Sequence, residues 1–383
     1  MKSDVNLKSK AALISLTDRG LDTILRIGEI LPDTLVPAFY VHEKAVGPRD
    51  NPGEPKQGQL QQTQLNKTTN FDIQYESFSR LSDIVPHLWQ EFSVLIFVMA
   101  TGIVVRQIAS LIEGKDRDPA VLVLDETGKF VIPLLSGHLG GANAWAALIS
   151  DRIGAVPVIT TATDGRGMVA PDEYARRYGW KVEPVRHLPA VNRLLLEQKL
   201  LTVRANYPLQ PEHDAWLKDP YYRFLSENEN DHANIIIDVF PKSAIQPDSL
   251  YLIPPILSVG VGCRRGVAKE VILERITTAV EQLGASLKGI SGIYSIDLKS
   301  DEVGLIEAAK SLRVPFKTFP ADELQSVNRQ EQLSRSNFVS EKIGVDGVCE
   351  AASLLGAKMG RLVLPKTKGQ GVTVAISIEN SLL

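Results

Sequence analysis

Short runs of β-branched and other apolar residues alternate along most of the chain with segments whose apolar residues recur at helical spacing. Val94 to Met99 is a continuous apolar run of strand length, whereas Leu21 to Leu31 has the pattern of an amphipathic helix. This alternation is typical of parallel sheets covered by helices. The sequence therefore predicts an α/β fold of two or more domains, with mainly parallel sheets flanked by helices in three-layer α/β/α style.

The length of 383 residues exceeds what one hydrophobic core usually organises. We expect an N-terminal α/β domain over residues 1–168, a middle region and linker over 169–248, and a C-terminal α/β domain over 249–383. The last boundary follows the polar, proline-bounded segment Pro241 to Asp248. Between Gly47 and Asn70 the chain is dense in Gln, Pro, Gly, Asn and Lys, which predicts a long mobile loop.

Composition and charge exclude several classes of protein. Hydrophobic residues make up 44% and charged residues 23% of the chain, the balance of a globular protein. The formal net charge of −3 gives no overall positive field, so we expect no nucleic-acid partner and no membrane partner. The first ten residues lack the apolar stretch of a secretory signal, and we expect a cytoplasmic protein. The sequence leaves open whether the chain forms a homo-oligomer.

Patterns typical of a metal site are missing from the sequence. Cys263 and Cys349 are its only cysteines, too few for a disulfide framework or a cysteine-rich metal site. The six histidines show no paired spacing of metal ligands. We therefore expect no protein-bound metal.

A glycine-rich segment, Ser136 to Asn143, lies between an apolar strand and a helix. Free backbone N–H groups and the helix dipole favour anionic groups at such a turn. His138 adds an imidazole that can take or give a proton near neutral pH. The alternative is structural, since three glycines also permit positive φ in a tight connection and a lone histidine is more often structural than catalytic.

A second polar segment, Thr160 to Gly167, follows the next strand. Its hydroxyl groups and the carboxylate of Asp164 should emerge from the carboxyl edge of the same sheet, where the two loops can meet. The alternative is that these threonines and Asp164 only cap the following helix or turn.

The C-terminal half contains a further glycine segment, Gly260 to Gly266, between a strand and a helix. It resembles a dinucleotide-binding turn, but its last glycine comes one residue late, so a nicotinamide enzyme remains an alternative. Arg264 and Arg265 at the predicted helix start suit recognition of carboxylates, unless they are only solvated surface residues. Cys263 is either a nucleophile activated by these arginines or a small packing residue.

The continuous stretch LLSGHLGGANAWAALISDRIGAVPVITTATD, from Leu134 to Asp164, resembles the diagnostic stretch of the CbiG family, the cobalt-precorrin-5A hydrolases. The segments from Gly260 to Gly266 and from Gly344 to Ala352 resemble the C-terminal domain of the same family. No catalytic role for any one residue comes with this resemblance. The residues that match the two N-terminal loops of the family are Ser136, Gly137, His138, Gly140, Gly141, Asn143, Thr160, Thr161, Thr163 and Asp164.

The resemblance implies hydrolysis of the ring-A δ-lactone of cobalt-precorrin-5A and release of acetaldehyde, giving cobalt-precorrin-5B in the anaerobic cobalamin pathway. Cobalt would arrive inside the substrate, so no separate cofactor is expected. The alternatives are a nicotinamide-dependent oxidoreductase and a non-catalytic tetrapyrrole-binding protein.

Our own hypothesis for the site assigns His138 or Asp164 as the general base and the backbone of Gly140 and Gly141 as oxyanion donors. The remaining residues of the two N-terminal loops would contact the substrate. From the C-terminal domain, the residues that we expect to bind substrate or its carboxylates are Gly262, Cys263, Arg264, Arg265, Lys366 and Lys368.

Overall fold

A computed structural model of the chain describes residues 9–46, 61–65, 73–226, 228–241, 248–333 and 347–380. It divides into two compact units, one ending at Arg176 and the other beginning at Arg177. The three-segment division expected from the sequence remains a prediction. No helix in the described part of the chain is long and apolar enough to cross a membrane.

The first unit contains a sheet and helices on both of its faces. Its strands are β1 (Ser9–Ser15), β2 (Leu35–His42), β3 (Gln61–Leu65), β4 (Ile73–Phe78), β5 (Val94–Val98), β6 (Ala120–Leu124), β7 (Phe130–Leu135) and β8 (Val156–Pro157). Its helices are α1 (Asp18–Ile30), α2 (Leu81–Glu91), α3 (Thr101–Ile108), α4 (Ala142–Ile153), α5 (Ala162–Gly165) and α6 (Pro171–Arg177), the last residue of which belongs to the second unit.

Alternate residues of the central strands β1, β5 and β6 face opposite sides of this sheet, as the period of two along a strand requires. Leu13, Ile96 and Leu122 pack with α1 and α4 on one side. Ile14, Phe97 and Val123 pack with α2 and α3 on the other. The buried strands therefore read as continuous apolar runs, and the α/β prediction with its three-layer arrangement is confirmed for this unit.

The strand order is β3-β4-β2-β1-β5-β6-β7-β8, and most neighbouring pairs are parallel. The exceptions are β3 with β4 and β6 with β7. Because β7 runs against β6, its last residue Leu135 pairs with Val121 at the beginning of β6. The chain thus leaves β7 at the edge of the sheet where β1, β5 and β6 begin.

The second unit contains two further sheets. Its strands are β9 (Lys181–Glu183), β10 (Leu201–Ala205), β11 (Tyr222–Phe224), β12 (Ile235–Ile237), β13 (Leu250–Ile253), β14 (Leu257–Cys263), β15 (Ile290–Ile296), β16 (Phe316–Phe319), β17 (Arg361–Gly369) and β18 (Val372–Ile378). Its helices are α7 (Leu188–Leu196), α8 (Asp214–Leu217), α9 (Lys269–Gln282), α10 (Val303–Leu312), α11 (Ala321–Gln330) and α12 (Cys349–Gly356).

The order of the first of these sheets is β11-β10-β12-β13-β9, and that of the other is β16-β15-β14-β18-β17. Each has a parallel core with antiparallel strands at one side. Helices α11 and α12 pack on the side of β15 that carries Tyr294 and Ile296. Three of the four strand pairs in the first sheet and two of the four in the other are parallel, so the α/β prediction is confirmed here with mixed sheets.

Leu250–Ile253, in the expected C-terminal segment, pairs with Ile235–Ile237 of the middle sheet. The loop expected between Gly47 and Asn70 needs one correction. Gln61–Leu65, within the expected loop, forms an edge strand on Ile73–Phe78, because ladder hydrogen bonds come from the backbone and need no apolar side chains. The rest of Gly47 to Asn70, and residues 242–247 of the expected linker, lie outside the described residues.

Gly260 on β14 permits a close approach of α12. A Cβ atom at this position would lie 1.8 Å from the carbonyl oxygen of Cys349 and 2.7 Å from the amide nitrogen of Ser353, both backbone atoms. No rotamer change can relieve a clash with backbone, so the strand and the helix would have to separate.

We expect Gly260→Ala to lower the free energy of unfolding by about 3 kcal/mol, the upper end of typical overpacking costs. Gly165→Ala is the matched control, because a Cβ at Gly165 meets no atom within 4 Å. Chemical denaturation of the two variants checks the expectation. Equal unfolding midpoints would show that the helix can move away at no cost.

Candidate active site

The two polar loops singled out from the sequence lie side by side. Strands β7 and β8 are parallel, with Phe130 paired to Val156 and Val131 to Pro157. The loops that follow them therefore leave the sheet at the same edge. This edge holds the carboxyl ends of β7 and β8 but the amino ends of β1, β5 and β6. The prediction that the loops emerge from a carboxyl edge is therefore correct for β7 and β8 alone.

His138 lies between two carboxylates. Its Nε2 is 2.9 Å from Oδ2 of Asp164, and its Nδ1 is 3.4 Å from Oδ2 of Asp172. The hydroxyl oxygen of Thr163 is 3.4 Å from the same Nε2. The imidazole is largely buried, with 12% of the side chain exposed, as is Asp172 with 8%, whereas Asp164 is 39% exposed. Only Asp164 of the two carboxylates can thus reach a ligand from solvent.

Asp164 is held through one oxygen. Besides His138, its Oδ2 accepts hydrogen bonds from the Thr161 hydroxyl and from Nδ2 of Asn143, the latter at 3.0 Å. The same Asn143 nitrogen is 2.9 Å from the Thr161 hydroxyl oxygen. Among the described residues, none donates a hydrogen bond to Oδ1 of Asp164. This leaves one oriented carboxylate oxygen on the solvent side of the cluster.

The electrostatics of the cluster favour the charged forms of His138 and Asp164. Burial alone would lower the pKa of His138, but the hydrogen bonds and negative charges of Asp172 and Asp164 raise it to about 9. Burial likewise opposes ionisation of Asp164, but hydrogen bonds from Thr161, His138 and Asn143, with the imidazolium charge, lower its pKa. The raised pKa favours the imidazolium form of His138 at neutral pH, so of the two candidate bases the electrostatics favour Asp164.

The glycine loop is shaped by close contacts. A Cβ at Gly137 would lie 2.8 Å from Oδ1 of Asn143, and one at Gly140 would lie 2.5 Å from Cβ of Ser136. Gly141 has a φ of 83°, in the left-handed region that glycine adopts at low cost. A side chain at any of these three positions would be crowded or strained for local reasons, which supports the structural interpretation of the glycines themselves.

The oxyanion-donor role assigned to the amide of Gly141 is wrong. The amide of Gly141 donates to the carbonyl oxygen of His138 at 2.9 Å, so it is not free to bind an oxyanion. The amides of Ala142 and Asn143 donate to Ser136 and Gly137 in the same way, because the loop closes on itself before α4 begins. Ser136 donates its hydroxyl to the carbonyl oxygen of Asp118 at 3.2 Å, and Thr160 is exposed at the start of the second loop.

The predicted binding residues of the second unit are placed at the end of β14 and on β17. Gly262 and Cys263 end β14, while Lys366 and Lys368 lie on β17. Burial raises the pKa of the Cys263 thiol, which disfavours the thiolate that a nucleophile requires.

Arg264 and Arg265 have different surroundings, and neither has the predicted position. Neither lies at a helix start, because α9 begins at Lys269, after a turn at Gly266 with a φ of 74°. Arg265 forms an ion pair with Asp301 at 3.1 Å and donates to the carbonyl oxygen of Leu298 at 3.0 Å. Arg264 is exposed, and no described carboxylate pairs with its side chain. Of these two arginines, Arg264 is the one without an ion pair to a described carboxylate.

Sequence reasoning missed Asp172. Its only local signal was an acidic residue in the first turn after Pro171, which marks a helix start. No spacing rule connects a residue of α6 with a loop that precedes α4. Within the described residues, no group of three or more His, Cys, Asp or Glu side chains is arranged to hold a metal ion.

A crevice of about 500 Å³ lies at the opposite edge of the same sheet. Parallel sheets commonly bind ligands there, outside the carboxyl ends of strands and where the strand order reverses, here between β1 and β5. Its wall includes the partly exposed apolar side chains of Ile103, Phe130 and Val158. The carboxylate of Asp125 in its lining is bonded to Thr127 and to the Phe130 amide, so the crevice is chiefly an apolar surface.

Comparison with known proteins identifies three regions of this chain. Residues 83–164 match the family model "Cobalamin synthesis G N-terminal", residues 169–254 "Cobalamin biosynthesis central region", and residues 257–377 "Cobalamin synthesis G C-terminus".

Three curated relatives carry one activity in their names. Cobalt-precorrin-5A hydrolase of Priestia megaterium is 26% identical, over 98% of this chain and 97% of that protein. The Salmonella typhimurium enzyme of the same name is 32% identical, over 75% of this chain and 82% of its own length. The probable cobalt-precorrin-5A hydrolase of Methanocaldococcus jannaschii is 31% identical, over 74% of this chain and 85% of that protein.

The ion cluster should make stability depend on pH. The pKa of His138 is about 9 in the folded chain, against 6.5 for an unperturbed histidine, so its contribution is fully present below pH 6.5 and lost as pH rises through 9. We expect the unfolding free energy of the parental chain to exceed that of His138→Gln by an amount that falls between these pH values, by at most about 3 kcal/mol. Denaturation of both chains from pH 6 to 10 measures this, and a difference that grows with pH would contradict it.

Proposed function

Because this chain belongs to the CbiG family of cobalamin synthesis G proteins, we propose that it is a cobalt-precorrin-5A hydrolase. It opens the ring-A δ-lactone of cobalt-precorrin-5A and releases acetaldehyde, giving cobalt-precorrin-5B. The observation that carries the chemistry is the cluster of Asp164, His138 and Asp172, in which an exposed carboxylate oxygen is oriented by donors on its other oxygen.

Lactone opening requires a base for water and stabilisation of the oxyanion that forms on the carbonyl. We assign the base to Oδ1 of Asp164, which takes a proton from the attacking water while the water oxygen bonds to the lactone carbonyl carbon. Collapse of the tetrahedral intermediate breaks the bond between the carbonyl carbon and the ester oxygen, and that oxygen, which stays on the two-carbon fragment, takes up a proton. The products of this step are a carboxylate and a hydroxyl group on the two-carbon fragment.

Loss of the fragment then breaks a carbon–carbon bond. The hydroxyl group gives up its proton as its carbon becomes the aldehyde carbon of acetaldehyde, and the electron pair of the broken bond passes into the conjugated macrocycle. The cobalt-bearing macrocycle is part of the substrate, so the chain itself need not supply an electron sink. What the cluster contributes is the proton acceptor and its orientation.

The two alternatives receive less support. In the second unit the space beside Gly260 is filled by the Cys349 carbonyl, and that beside Gly262 by the Thr373 hydroxyl, so these glycines serve packing rather than approach to a pyrophosphate. A nicotinamide-dependent oxidoreductase is therefore not favoured. A non-catalytic tetrapyrrole-binding protein would bind cobalt-precorrin-5A without releasing acetaldehyde, which makes acetaldehyde the decisive product to measure.

We expect Asp164→Asn to lower the turnover number by about 10² to 10⁴-fold, because the amide cannot accept the proton of the attacking water. Acetaldehyde release from cobalt-precorrin-5A measures the rate. Asp83→Asn is the matched control, since Asp83 is an exposed carboxylate on α2 whose described side-chain contact is Ser82. Parental turnover in Asp164→Asn would remove Asp164 from the mechanism.

The two arginines provide a matched pair for substrate binding. We expect Arg264→Ala to weaken the affinity for cobalt-precorrin-5A by about 10- to 150-fold, the effect of losing a charge-assisted hydrogen bond worth about 1.5 to 3 kcal/mol. Arg265→Ala should have little effect on affinity, because Arg265 is already paired with Asp301. Titration of both variants tests this, and equal losses would mean that the ion pair opens when substrate binds.

A further inference from the structure

We propose that Asp172 is a positioning residue, which holds the His138 imidazole as a donor through both ring nitrogens and thereby fixes Asp164 for reaction. This inference rests on the proposed function, because it assigns a part in the same cluster. Asp172 itself lies behind the imidazole and is buried, so it acts through His138 and does not contact the substrate.

With both carboxylates ionised, the cluster favours a doubly protonated ring. A neutral imidazole has one N–H donor and one acceptor nitrogen, whereas an ionised carboxylate can only accept. His138 has a carboxylate oxygen opposite each nitrogen, in a hydrogen bond of 2.9 Å at Nε2 and an ion-pair contact of 3.4 Å at Nδ1. A neutral ring would therefore place one nitrogen lone pair against an ionised carboxylate oxygen, whereas the imidazolium presents an N–H group to each.

Burial gives the two carboxylates different parts. Asp172 is almost inaccessible, and its Oδ1 is a buried atom without a hydrogen-bond partner in the described structure. A buried carboxylate is costly unless a counter-charge offsets it. His138 supplies that charge, since the nearby Arg176 is paired with Glu173 at 2.7 Å. Asp164 is exposed and is held by two further donors, so it does not depend on His138 in the same way.

The local fold fixes Asp172 in place. Helix α6 begins at Pro171, and Tyr174 and Ala175 in its next turn are buried. The amide of Met168 donates to the carbonyl oxygen of Thr163 at 3.0 Å, which ties the segment before α6 to the loop that carries Asp164. Both carboxylates thus belong to one anchored stretch of chain, and His138 reaches between them from the glycine loop.

The groups that face His138 are few. Asp172 from α6, Asp164 from α5 and the hydroxyl of Thr163 are those that the described residues place against its ring. The two negative charges are the reason that its pKa is raised to about 9 despite burial. Removing the charge of Asp172 while keeping its shape should therefore lower that pKa and release the ring from one fixed orientation.

Nuclear magnetic resonance of the full-length chain tests the inference without any assay of activity. In the parental protein at pH 7.5, we expect His138 to carry protons on both ring nitrogens and to titrate with a pKa above 8. In Asp172→Asn, the pKa should fall by at least one unit toward the ordinary value near 6.5. Asp83→Asn is the control, an exposed carboxylate on α2 whose described side-chain contact is Ser82, and it should leave the His138 titration unchanged.

Kinetics provide the second readout. We expect Asp172→Asn to lower kcat by about 10- to 100-fold with little change in KM, and to move the basic limb of the kcat profile to lower pH. A structural role alone would alter stability without moving that limb. If Asp172→Asn does not fold, the parental titration decides, because a His138 that is neutral at pH 7.5 overturns the inference.

The two proposals fail in different ways. A parental chain that releases no acetaldehyde overturns the proposed function, while the state of the His138 ring is still decided by resonance. An unchanged His138 titration in Asp172→Asn overturns the part assigned to Asp172, whatever the chain catalyses.

Discussion

The reversed direction of β7 determines where the chemistry of the first unit can lie. A purely parallel continuation after β6 would deliver the glycine loop to the edge that carries the crevice between β1 and β5. Because β7 returns antiparallel, and β8 then runs parallel to β7, two consecutive loops reach the other edge together. The juxtaposition of His138 and Asp164 is a direct result of this single change in strand direction.

Once the loops meet, the ion cluster follows from simple electrostatics. A largely buried histidine alone would lose its proton more easily, and a buried aspartate alone would be costly to ionise. Together the imidazolium and the carboxylates stabilise one another's charged forms. Asp164 is the carboxylate of the two that is exposed. The cluster thus sets one imidazole against two carboxylates, and under the proposed mechanism the exposed Asp164 oxygen, not the imidazole, accepts the proton of water.

Much of the fold could be predicted from the sequence because local signals were strong. Val94–Val98 reads as a strand since both of its faces are buried, and the loops beginning at Ser136 and Thr160 are marked by glycines and hydroxyl residues. Elements without an apolar pattern were missed, such as the edge strand Gln61–Leu65. Asp172 could not be found, because its partner is brought to it by the path of α4 and β8 and not by any sequence spacing. For the same reason the pairing of Arg265 with Asp301 was invisible, and two adjacent arginines were given one role.

Helix α6 has a consequence for how the chain can be divided. The N-terminal family region ends at residue 164, with Asp164 as its last member, and the central region begins at residue 169. The two carboxylates that hold His138 therefore belong to different regions of the family, although they share one compact unit of the structure. A fragment or chimera joined between these regions would retain every predicted site residue of both loops and yet exchange the environment of the imidazole. In this chain the chemical unit is larger than the region that its sequence motifs define.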